Sequence, residues 1–162
     1  MARYTAAVDT AWDREKAFAY LADFATISDW DPGVARSRRL TEGGPEVGSR
    51  YEVISSFLGR EIPLEYEILE IDPPRRVLLR AETSTMTSLD EMTFDLRPGG
   101  GTIVTYDADL AMKGPAKIAE LPMRLAFRRL GDNARDGLRN RLAETPPAKP
   151  APEEPAERAA SQ

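Results

Sequence analysis

RYEVISSFLGREIPLEYEILEIDPPRRVLLRAETSTMTSLDEMTFDLRPGGGTIVTYDADLAM, residues 50–112, alternates apolar and polar side chains in runs broken by short clusters of turn-forming residues. A period of two marks strands with one dry face and one wet face. The spacing predicts strands over Arg50–Leu58, Ile62–Ile71, Arg76–Thr83, Ser88–Arg97 and Thr102–Met112. The breaks are Gly59-Arg60, Asp72-Pro73-Pro74, Ser84–Thr87 and Pro98–Gly101, all short enough to join neighbouring antiparallel strands. The result is a meander.

Upstream, Val34–Thr41 reads as one more strand, set off by GGPEVG at 43–48. Arg3–Asp9 reads as the first strand, with Tyr4, Ala6 and Val8 on one face. A helix is expected next, opened by a capping box of Thr10 and Asp13 and carrying Phe18, Leu21 and Ala22 on its apolar side. FATISDWDPG, Phe24–Gly33, adds a second short helical piece that Pro32 and Gly33 stop. Downstream of Lys113-Gly114-Pro115 the chain is helical in composition to Glu144, with Pro122 placed to begin or kink the main part. Strand, two short helices, six strands and a long helix make an α+β domain, a seven-stranded curved antiparallel sheet wrapped around the C-terminal helix.

Composition limits the chemistry. The chain has 162 residues, one domain's worth, with 41% hydrophobic residues and neither Cys nor His. That removes disulfides, zinc and iron–sulfur ligand sets, thiol nucleophiles and the usual neutral-pH base. No cofactor or metal is expected, and Gly99–Gly101 is a hairpin turn and not a phosphate loop, because no Lys-Ser/Thr follows. A net charge of -5 argues against nucleic acid as a partner. The N-terminal segment has no apolar leader core and no stretch is long enough to span a bilayer, so the expectation is a soluble cytoplasmic protein, monomer or homodimer, without integral membrane association. Residues 145–162 hold five of the thirteen prolines and no Ile, Leu, Val or aromatic residue, which predicts a disordered tail after a folded unit of 1–144.

The charge is unevenly spread. Residues 1–112 hold twelve basic and twenty acidic side chains, whereas 113–142 hold eight basic and three acidic. At about 100° per residue Lys117, Arg124, Arg128, Arg135 and Arg139 form a stripe, with Ile118, Met123, Phe127, Leu130, Ala134 and Leu138 mostly turned from it. The stripe reads as a solvated face that complements the acidic sheet; the sharper alternative is an anion or membrane-surface patch.

The run VDTAWDREKAFAYLADFATISDWDPGV, then VGSRYEV, EYEILEIDPPRRVLLRAE and MTFDLRPGGGTIVTYDADLAMKGP, resembles the polyketide cyclase/dehydrase and lipid-transport family of the START-like (SRPBCC) superfamily. The most specific pieces are Trp30-Asp31-Pro32-Gly33, Asp72-Pro73-Pro74-Arg75 and Gly101-Thr102, which mark fold and family and not catalysis. The resemblance implies a helix-grip fold and a hydrophobic ligand cavity, in proteins that range from aromatase/cyclases to lipid binders.

Alternation nominates the cavity lining. Tyr51, Val53, Ser55 and Phe57 share one parity, as do Leu64, Tyr66 and Ile68, then Leu79, Ala81 and Thr83, then Met92, Phe94 and Leu96, then Val104, Tyr106, Ala108 and Leu110. Met123 and Phe127 would face them from the helix, and Trp30 would either cover one end of the cavity or pin its turn to the sheet. Asp90 shares parity with Met92 and is the one inward carboxylate, unless a one-residue slip at the strand entry returns it to water. Two functions are open. A binder of a hydrophobic small molecule (lipid, isoprenoid or aromatic, polyketide-like metabolite) needs only the cavity. A cyclase, aromatase or dehydratase needs acid–base groups, for which Asp90 with Tyr66 or Tyr106 is the available set.

Overall fold

The computed structural model describes residues 2–148; of the tail expected at 145–162, residues 149–162 lie outside the described residues. Strands β1 (Ala2–Thr10), β2 (Val34–Arg39), β3 (Arg50–Phe57), β4 (Arg60–Asp72), β5 (Arg76–Glu82), β6 (Met86–Leu96) and β7 (Thr102–Met112) form one sheet. Its order, β1-β7-β6-β5-β4-β3-β2, is antiparallel throughout, with the meander as expected and β1 closing onto β7. After β1 come α1 (Arg14–Ala22), a 3-10 turn (Phe24–Thr26) and α2 (Ile27–Trp30). A 3-10 segment (Gly114–Ala119) leads into α3 (Glu120–Ala143), where Pro122 sits in the first turn.

The β3–β4 turn differs from the expected Gly59-Arg60. Phe57 pairs with Arg60, and the two turn residues are Leu58 and Gly59 with φ 49° and 75°, the double positive φ that tight hairpins use. The capping box is also absent. Thr10 ends β1, α1 starts four residues later, and the Thr10 hydroxyl instead donates to the Leu142 carbonyl at 2.7 Å. Leu96 has the inward parity but lies at the last residue of β6, past the cover of the helices, and is 66% exposed.

Inward residues of the sheet and the inner faces of α1, α2 and the C-terminal half of α3 share one core that includes Phe18, Leu21, Phe24, Tyr51, Ile68, Leu79, Met92, Phe94, Leu138 and Leu142. In α3 the buried residues are Ala134, Leu138 and Leu142, all in its second half. Two glycines let that half approach closely: a Cβ at Gly131 would enter the Tyr4 ring, and one at Gly137 would enter the Trp30 carbonyl oxygen. The helix end is tied down as well. Trp12 Nε1 donates to the Glu144 carbonyl at 2.8 Å, and the Arg141 guanidinium lies over both Trp12 and Tyr20, 5.2 and 4.8 Å from the ring centroids.

Gly137→Ala follows as a test of this contact. An alanine ordinarily gains helix propensity over glycine, but here overpacking against the Trp30 carbonyl outweighs it, and urea unfolding should show a loss of roughly 1–3 kcal/mol.

Candidate functional site

A recess remains where the first half of α3 crosses the concave face of the sheet, with a volume of ≈ 160 Å³. Sheet register explains its polar corner. Tyr66 pairs with Ala81 and Ala81 with Ser88, so three side chains share one row on the inner face. Because Ala81 is small, the Tyr66 hydroxyl reaches across it and donates to Ser88 Oγ at 3.2 Å, and Ser88 Oγ donates to Asp90 Oδ2 at 2.9 Å. The Tyr106 hydroxyl donates to Asp90 Oδ1 from the β7 side, where Ala108, the cross-strand partner of Asp90, leaves the space. Asp90 thus lies mid-strand, 3% exposed, with no slip of register.

The tyrosines are braced from behind. Phe24 meets the Tyr66 ring edge to face at 4.9 Å, and Trp30 meets the Tyr106 ring at 6.0 Å and 81°. Trp30 is buried, pinning its turn, and does not line the recess.

Of the residues nominated from sequence, Val53, Ser55, Phe57, Leu64, Tyr66, Asp90, Tyr106, Ala108, Leu110, Met123 and Phe127 line the recess. Tyr51, Leu79, Ala81, Met92 and Phe94 have the inward parity but sit in the packed core away from it; Phe94, for one, stacks edge-on with Phe18 at 5.3 Å. Thr83 lies just past β5, where its hydroxyl accepts from Met86 N at 3.1 Å in the β5–β6 turn. Arg124 and Arg128 face solvent, outside the lining.

Sequence reasoning passed over Ser88 and Met86, which share the parity of Asp90, and it missed Asp31. No alternation reaches Asp31, because it belongs to the Trp30-Asp31-Pro32-Gly33 turn, where its Oδ1 accepts from Gly33 N at 2.7 Å. The recess therefore holds two carboxyls and no lysine or arginine in its lining. Burial raises the Asp31 pKa from 3.8 to about 6; the Gly33 hydrogen bond opposes the shift and the Asp90 charge adds to it. Desolvation also pushes the Asp90 carboxyl up, against the hydrogen bonds from Tyr106, Ser88 and Tyr66. Burial and the Asp90 charge hold the phenols of Tyr66 and Tyr106 well above their ordinary value, so at neutral pH both are hydrogen-bond donors and not phenolates. Among the described residues no group of three or more carboxylates is placed to hold a metal ion.

Residues 1–143 match the family model described as polyketide cyclase / dehydrase and lipid transport. Among solved structures, the Zhui aromatase/cyclase of Streptomyces sp. R1128 superposes with a TM-score of 0.69 at 14% identity, covering 86% of this chain and 92% of that one. A START superfamily protein of Mycobacterium smegmatis gives 0.63 at 14% identity, with 88% and 97% covered. A Thermus thermophilus protein gives 0.69 at 14% identity, with 87% and 95% covered. At such identities the likeness is one of fold. No curated protein matches the chain by sequence.

Asp31 yields a prediction with a defined sign. Its folded pKa is raised, so the native state prefers the protonated form and stability is lost as pH rises from about 4 through about 6. Asp31→Asn, which can keep the Gly33 contact, should raise stability by about 1–3 kcal/mol at pH 7.5 and by almost nothing at pH 4. Paired thermal melts at the two pH values check it; equal gains at both would sink the assignment.

Proposed function

From the premise that the chain belongs to the polyketide cyclase/dehydrase and lipid transport family, we propose that it binds a hydrophobic small molecule in the recess between sheet and α3. Residues 1–144 form the binding unit in this reading. The observation that carries it is the division of the recess wall: Val53, Leu64, Leu110, Met123 and Phe127 present apolar surface, and the polar groups Asp31, Tyr66, Ser88, Asp90 and Tyr106 complete the same wall. An apolar body held by packing and a polar end that can join the phenol, hydroxyl and carboxyl network is the ligand such a wall favours. The volume suits one aromatic ring or a short chain, since apolar cavities of about 150 Å³ admit benzene. Met86 and Met123 in the wall are flexible enough to adapt to larger lipid, isoprenoid or polyketide-like shapes.

A second reading, cyclase, aromatase or dehydratase, draws on the paired carboxyls. Both are raised by burial, Asp31 to about 6, which puts two carboxyls able to take or give a proton in one wall. In an aldol-type closure ionised Asp90 would take the proton from carbon next to a carbonyl. The carbanion would attack a second carbonyl, and the alkoxide formed would take its proton from the now protonated Asp90, with the Tyr106 phenol released from that carboxyl to donate to the same oxygen. For dehydration, ionised Asp90 would take the proton from the carbon next to the carbonyl, that electron pair would form the C=C bond, and the C–O bond would break as protonated Asp31 gives its proton to the departing hydroxyl, releasing water.

Both readings are open to direct tests. A fluorescent apolar probe should bind the protein, and Ser55→Trp, which fills the recess from β3, should weaken uptake roughly tenfold or more with the melting temperature retained; unaffected uptake would place the ligand elsewhere. Native mass spectrometry of protein from its own cells should reveal a retained apolar molecule. On any substrate so identified, Asp90→Asn should abolish turnover and leave binding, whereas undiminished turnover would leave the chain a binder.

A further inference from the structure

Ile118 is 89% exposed and Leu121 and Leu125 are each 72% exposed, three of the seven large hydrophobic side chains left in water among the described residues, and all within eight residues. Sequence patterning turns Ile118 away from the basic stripe and toward the interior; the 3-10 segment instead buries none of its residues. At about 100° per residue Leu121 and Leu125 stand some 40° apart on α3 and on the opposite side from Met123, Phe127 and Leu130. Those three already wall the recess, so the outer leucines serve neither it nor the core.

The polar groups around the two leucines are basic apart from Glu120, the first residue of α3. Arg124 and Arg128 flank the leucines on one side and Arg129 on the other, all exposed, and no Asp or Glu occurs from 121 to 131. Further along, Arg135, Arg139 and Arg141 pair with Asp132, Asp136 and Glu144 of the same segment.

We propose that this outer face of the first turns of α3, with Ile118, docks the protein on an anionic lipid surface. Apolar side chains between arginines, with the nearest carboxylates at Glu120 and at Asp132, which Arg135 and Tyr4 already engage, are the pattern of a helix that lies in a bilayer interface: the leucines enter the acyl boundary and the guanidinium groups stay at the anionic headgroups. The excess of twenty acidic over twelve basic side chains in residues 1–112 turns the rest of the body from such a surface, which orients the protein helix-down. Charge also decides against a second copy, because two such faces would oppose arginine to arginine. Docking needs no ligand in the recess and stands apart from the binding function.

The experiment is co-sedimentation of the full chain with sucrose-loaded vesicles, phosphatidylcholine alone or mixed equally with phosphatidylglycerol. The protein should pellet with the anionic vesicles at low salt and stay in solution with the zwitterionic ones. The pairs Leu121→Glu with Leu125→Glu, and Arg124→Glu with Arg128→Glu, should each weaken anionic binding at least roughly tenfold while the melting temperature and probe uptake are retained. Leu125→Trp should report insertion by a blue-shifted emission on anionic vesicles. Failure to pellet with anionic vesicles, or undiminished binding by either pair, overturns the proposal. So does a dimer in solution that the leucine pair dissolves, which would assign the face to a second copy.

Discussion

The clamp on the second half of α3 is the constraint from which the rest of the molecule follows. Gly131 and Gly137 bring the helix down onto Tyr4 and the Trp30 carbonyl, Leu138 and Leu142 are fully buried beneath it, and Thr10 and Trp12 meet the carbonyls of its last turn. Burying each leucine contributes roughly 1.5–3 kcal/mol, and the capped carbonyls avoid the cost of unmet acceptors. A helix pinned at one end over a curved sheet stands off at the other. The recess is the space beneath that raised half, and its place on the sheet is set by where the close contacts stop.

The polar corner of the recess runs against the interest of stability. Two carboxyls and two phenols in a largely apolar wall lose hydration that a leucine of similar volume would not need. The hydrogen-bonded chain from Tyr66 through Ser88 to Asp90, met by Tyr106, recovers part of that loss, and alanines at 81 and 108 make room for it. Local rules are broken here in a coordinated way across three strands, with Phe24 and Trp30 holding the rings in place. That coordination is what separates a site from a packing defect.

The sheet was legible because each strand has a dry face, and a period of two then orders every residue in it. The same alternation could not tell Val53, which lines the recess, from Tyr51, which lies in the core two residues away, because the difference depends on where α3 leaves the sheet. Asp31 sits in a turn and carries no parity, so its carboxyl was invisible to the pattern, though an Asp ahead of Pro-Gly is itself a turn signal with a free oxygen to aim. Thr10 matched a capping motif but is spent on a contact to Leu142, distant in sequence. Helical periodicity correctly separated Met123 and Phe127 from the arginines, yet it cannot say whether an apolar residue such as Ile118 finds anything to pack against.

One helix thereby carries two surfaces of different origin in the same three turns. Its inner side is defined by the recess, through Met123, Phe127 and Leu130, and its outer side by leucines that the fold leaves uncovered. No residue of α3 before Ala134 is fully buried, so little core packing resists displacement of this half, whereas moving the other half would break the clamp. The recess wall and the uncovered leucines thus share the half of α3 that has no fully buried residue. A substitution there changes what the molecule meets before it changes whether the molecule folds.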